Sequence, residues 1–129
     1  MTKDLSMLLR TARPRTVKGE FVFCCISRPK LRRLKIEPLL VFTEKEGKTI
    51  IVEKTVADAR ALKYSGVWSL ITMGVRSDLS AIGFLAAITN KLAKARIPVN
   101  AISAYHHDHI FVPFEMKEKA LRLLRNLSK

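Results

Sequence analysis

The stretch WSLITMGVRSDLSAIG, residues 68–83, decides the fold of this chain. Its first half is an extended apolar run, the pattern of a buried strand. Its second half breaks that run with two serines, an aspartate and a glycine. AAITNKLAKARI (86–97) follows as an amphipathic helix, whose expected buried stripe is Ile82, Leu85, Ala86, Ile88, Leu92 and Ala95. Pro98 stops it. NAISAYHH (100–107) and HIFVPFE (109–115) read as two more strands, and KEKALRLLRNL (117–127) as a closing helix with Ala120, Leu121, Leu124 and Leu127 inward. A β-α-β-β-α unit therefore occupies the second half, with a polar turn at its first corner.

The first half offers a looser version of the same order. Leu5, Leu8, Leu9 and Ala12 fall at helical spacing, and Pro14 ends that helix. EFVFCCIS (20–27) is apolar on both faces, so it reads as a central strand covered on both sides. Residues 27–37 are basic, lack apolar periodicity and are bracketed by Pro29 and Pro38, which predicts an exposed loop. PLLVFTEKEGKTIIVE (38–53) predicts a hairpin with Gly47 in the left-handed position of its turn. Thr55 followed by Asp58 predicts a capped start for VADARALKY, and Gly66 its close. Short loops and helices on one face of a largely antiparallel sheet imply an α+β fold. EFVFCC and HIFVPF are expected to present apolar edges that need cover.

With 129 residues, 48% hydrophobic and 27% charged, the chain suits compact globular structure without staples. No apolar run reaches the length of a membrane span, and the N-terminus has the reverse charge order of a secretory signal, so the expected location is cytoplasmic. Cys24 and Cys25 are sequence neighbours that point to opposite faces of a strand, and both are expected to be buried and reduced. A formal net charge of +13 is the strongest compositional deviation. Arg28, Arg32, Arg33 and Lys35 lie within its densest basic segment and are the candidate polyanion-binding residues, for nucleic acid or for an acidic partner protein. No aromatic residue is interleaved with them as a base-stacking platform requires, so nucleic acid is the lesser expectation.

Several motifs carry a resemblance. The turn SDLSAIG (77–83), the helix end KARIPVN (94–100) and YHHDHIFVP (105–113) resemble the ACT domain, the ferredoxin-like βαββαβ regulatory module of amino-acid metabolism, and most of all the ACT units of aspartate kinases. GEFVFC (19–24), Glu46–Gly47 before an apolar strand, and Trp68 to Thr72 are similar to small stand-alone proteins carrying two ACT-like units. The resemblance implies two tandem units with antiparallel sheets: a diverged or permuted one over 1–66, lacking an opening strand before Leu5, and a second over 67–129. It implies pairing of sheets within or between chains, hence a homodimer. It also implies a non-catalytic protein that binds a small amino acid or related metabolite and modulates a partner protein.

The candidate ligand-binding residues are Ser77, Asp78, Leu79, Ser80, Ala81, Ile82, Gly83, Asn100, His106 and His107. A helix N-terminus presents free N–H groups and positive dipole to a carboxylate, while Asp78 suits an ammonium, and an amino acid carries both. Ser77, Asp78 or Ser80 is alternatively a plain helix cap. In aspartate-kinase-like units the matching loop, with the Asn that opens the next strand, contacts the amino acid across a pair of modules. His106, His107, Asp108 and His109 are consecutive and cannot converge on one ion, so no metal is expected; they read as a strand-joining turn with Asp108 bonded to its own backbone. Catalytic elbows and phosphate-binding glycine loops are absent, so neither catalysis nor a cofactor is expected.

Overall fold

The computed structural model describes residues 1–129 as two compact units, Gly19–Trp68 and Met1–Lys18 with Ser69–Lys129. One strand, β1 (Pro14–Ile26), runs through both.

In the unit Gly19–Trp68, β1 is followed by α2 (Arg28–Leu34), β2 (Leu40–Thr43), β3 (Lys48–Glu53) and α3 (Lys54–Ala59). The strand order is β2-β3-β1, with antiparallel pairing that sets Cys24 opposite Ile50 and Leu40 opposite Ile51. Val22, Cys24, Ile26, Ile50, Val52, Ala57 and Leu62 form its core, with Leu31, Leu34 and Ile36 packed against it. On the other face of the strands Phe23 meets Trp68 edge to face, with ring centroids 5.8 Å apart.

Several expectations change in this unit. Residues 28–34 are a helix, not a loop. Ser27 Oγ accepts from the Lys30 amide at 3.2 Å, and Pro29 sits in the first turn where its missing N–H is harmless. Leu31 and Leu34, three apart and partly buried, pack one side of the helix against the core despite its basic composition. Only Cys24 is buried; Cys25 is exposed. Gly47 has φ +151, on the positive side that glycine alone adopts readily, and the loop closes through paired bonds between Glu44 and Gly47. Thr55 does not cap α3, whose N-cap Glu53 makes no side-chain bond. Asp58 instead accepts from Lys54 Nζ at 2.8 Å and Tyr64 Oη at 2.7 Å, and these partners hold its carboxyl below the ordinary range. The helix ends near Arg60, well before Gly66.

The other unit contains α1 (Leu5–Arg10), the first part of β1, β4 (Trp68–Met73), α4 (Phe84–Lys94), β5 (Asn100–Ser103), β6 (Asp108–Pro113) and α5 (Lys117–Leu124). Its strand order is β5-β6-β4-β1, so the N-terminal segment supplies the last strand of a βαββαβ fold built mainly from residues 69–129. The Gly74 amide donates to Arg13 O at 2.9 Å, and a side chain on Gly74 would meet that same carbonyl. Leu8 and Ala12 join Ile71, Met73, Phe84, Ile88, Leu92, Ile110, Val112, Leu121 and Leu124 in one core. Each fully buried aliphatic or aromatic side chain there contributes about 1.5–3 kcal/mol over exposure.

HIFVPF lies inside the strand order rather than at an edge, since β6 has β4 and β5 as neighbours, whereas EFVFCC pairs with β3 along Phe21–Ile26. The edges are β2 and β5. Leu39, Val41 and Phe42 are exposed at the β2 edge.

Candidate functional site

The site grows from the end of β4. Met73 closes the strand, and Val75 and Ser77 are still buried. The Ser77 amide donates to His106 O at 3.3 Å, and the Asp78 amide to Thr2 O at 3.0 Å, so the turn is stitched to the β5–β6 loop and to the N-terminal segment. The helix expected directly after the turn begins only at Phe84, six residues beyond Asp78, with Gly83 as N-cap at φ +94. Ser77, Asp78 and Ser80 therefore do not cap it. Asp78 Oδ1 accepts from the Ser80 amide at 2.8 Å and from Ser80 Oγ at 2.5 Å, an Asx turn that lowers the Asp78 pKa. The first-turn amides of α4 receive no side-chain cap.

This later start rotates the buried stripe. Phe84, Ile88 and Leu92, spaced by four, face the core, whereas Ile82 is 86% exposed and Ala86 is also exposed. The spacing of Phe84 with Ile88 and Leu92 was the signal for the true register. Leu5 of α1 packs over Gly83, with a methyl 3.2 Å from where a Cβ would stand.

A small cavity of about 60 Å³ opens inside this turn. Ser77, Asp78, Leu79, Ala81, Phe84 and Leu85 line one side, and Ser103, Ala104 and Asp108 the other. Asp108 is the residue that sequence reasoning missed. The residue is 93% buried, and its carboxylate bonds no backbone of its own turn but accepts from Ser103 Oγ at 2.6 Å and Ser77 Oγ at 3.2 Å. It forms no salt bridge, since Lys54–Asp58 is the ion pair of this chain. The cavity therefore carries two carboxylates and no basic side chain, within a strongly basic protein.

The remaining candidates are placed differently. Ser80, Ile82 and Gly83 belong to the loop but do not line the cavity. Asn100 is exposed at the far end of β5, paired with Phe111, whereas Ser103 at the near end pairs with Asp108. His106 is exposed and meets Tyr105 edge to face. His107 Nδ1 lies 3.1 Å from Met73 O and 3.2 Å from Val75 O; two carbonyls require the proton on that nitrogen, so the ring pins the end of β4. His109 Nδ1 pairs with Thr72 Oγ1 at 2.9 Å. Burial, then His107 and Arg15, lower the His109 pKa. No three His, Cys, Asp or Glu side chains are gathered as a metal site. Arg28, Arg32, Arg33 and Lys35 lie in and just after α2, all exposed.

A strand leading to a polar loop and a helix, twice along the chain, is matched by known families. The profile of the ACT domain matches residues 2–69 and a second ACT domain profile matches residues 65–126. The chain belongs to the ACT domain family, as two tandem copies. Among curated proteins none matches it in sequence. Among solved structures it is similar to a protein of unknown function from Vibrio cholerae, described as a possible transport protein: 38% identity, TM-score 0.87, covering 97% of this chain and 96% of that one. The regulatory subunit of aspartate kinase from Thermus flavus shares the fold at 9% identity and TM-score 0.62, over 90% of this chain and 97% of that one. The aspartate kinase of Clostridium acetobutylicum shares it at 11% identity and TM-score 0.67, over 89% of this chain and 34% of that one. No helix is long and apolar enough to cross a membrane.

Proposed function

We propose that this chain is a non-catalytic regulatory protein of the cytoplasm that binds a small amino acid, or a related amine-bearing metabolite, in the cavity between residues 77–85 and Asp108. The observation that carries this reading is the pair of carboxylates, Asp78 and Asp108, lining one cavity beside the uncapped first turn of α4. The carboxylates suit the ligand's ammonium, and the amides of α4, an 11-residue helix, suit its carboxylate. At about 60 Å³ the cavity is far below the roughly 300 Å³ lower bound of drug-sized sites, so it takes the head of the ligand and leaves its side chain near Leu79 at the surface. Kinship with regulatory subunits supports a binding rather than a catalytic role.

In this reading residues 1–66 and 67–129 are the two repeats in sequence, and the ligand site belongs to the second. A homodimer gives Asn100, exposed on an edge strand, a role at the mouth of the other copy's site, and His106 and His107 shape the loop against which Ser77 is held. Ligand affinity and assembly, or association with a regulated partner protein, are then linked in both directions.

Calorimetry and thermal shift against the twenty amino acids test this. One or a few small ones are expected to raise the melting temperature, and Asp78→Ala to abolish that response while the protein stays folded. A folded protein that responds to none of the twenty, or an Asp78→Ala variant that still responds in full, removes the reading.

A further inference from the structure

We propose that the outer face of α2 binds the phosphodiester backbone of double-stranded nucleic acid, without reading its sequence. This is independent of the amino-acid site. Within residues 28–35 there are five cations and no carboxylate, and Arg28, Arg32, Arg33 and Lys35 are all exposed. None is in an ion pair. Folding of the segment as a helix matters here: Leu31 and Leu34 seat one side on the core, so the charges stand on an anchored surface rather than a free loop.

The choice among polyanions follows from what the face lacks. A docked acidic protein needs an apolar or aromatic anchor that becomes buried at the centre of the contact. The exposed residues of α2 are Arg28, Pro29, Arg32 and Arg33, none of which supplies one. A phosphate backbone needs no anchor, and three of the four exposed cations are arginines, whose planar fork matches phosphate oxygens. Without an aromatic ring for stacking bases, the face favours a duplex backbone over single strands. Seven helical residues span about 10 Å, the length of roughly three phosphates along one strand.

Fluorescence anisotropy with a labelled mixed-sequence DNA duplex and a matched RNA duplex, between about 50 and 200 mM salt, tests the proposal. Binding to at least one duplex is expected, with a log–log salt slope of about −3 for DNA. The double variant R32E/R33E should weaken binding at least about tenfold at low salt and bring the slope near −1. The charge-matched variant K119E/R122E, on exposed positions of α5, should keep the slope. Single alanine substitutions at Arg28, Arg32 and Arg33 guard against misfolding, each moving the slope by about one. The proposal is overturned if R32E/R33E binds like the parent, if K119E/R122E loses as much, or if poly-glutamate is bound more tightly than either duplex.

Discussion

Ser77 Oγ lies 3.2 Å from Asp108 Oδ2, joining the loop after β4 to the first residue of β6 across 31 positions of sequence. With Ser103 Oγ at 2.6 Å on the other oxygen, Asp108 makes the small cavity a fixed feature of the fold. The Ser77–Asp108 bond is buried, so it is stronger than a surface counterpart and its orphaned donor is expensive.

Asp108→Ala is expected to destabilise the chain by about 1–3 kcal/mol, because the buried Ser77 hydroxyl loses its acceptor. Urea denaturation measures this. The double change Asp108→Ala with Ser77→Ala should recover part of the loss; if it instead adds a full second loss, the two residues are not coupled.

Acidification should destabilise the protein through His109. Its folded pKa lies below the ordinary 6.5, chiefly from burial. Between those two values the unfolded chain binds more protons, so the contribution is present above pH 6.5 and is lost as pH falls through the folded pKa. His109→Gln should flatten the stability profile on the acid side of 6.5. An unchanged profile would place the acid sensitivity elsewhere.

The two thiols should differ in reactivity. Cys25 is exposed, whereas Cys24 is buried and burial raises its pKa. A disulfide reagent should titrate one thiol in the native protein and both in denaturant. Cys25→Ser should abolish the native reaction; a residual fast thiol in that variant contradicts the assignment.

The hairpin loop should resist substitution more than its neighbour. A Cβ on Gly47 would stand 3.0 Å from Ile26 O at φ +151, while one on Gly66 meets nothing nearer than Trp68 Nε1 at 3.7 Å. Gly66→Ala should lose about 1 kcal/mol from positive φ alone, and Gly47→Ala about 2–3 kcal/mol from strain and contact together. Thermal melting compares them, and equal losses would show that the contact relaxes freely.

The residues alone determined the family and, α2 apart, the order of elements. Apolar runs mark β1, β3, β4 and β6, and Leu121 with Leu124 marks the buried side of α5, because such patterns are local and need no partner to be read. The polar turn at 77–83 was legible in the same way. Basic side chains masked α2: two leucines three apart are too short a stripe to outweigh five cations until a core is there to receive them. Only the tertiary structure brought Asp108 to Ser77, set α4 to begin at Phe84, and placed the first part of β1 with residues 69–129. Those outcomes depend on long-range packing and strand pairing, and so does the cavity: nothing local to Asp108 says that its acceptor oxygens will be satisfied by hydroxyls from two other segments.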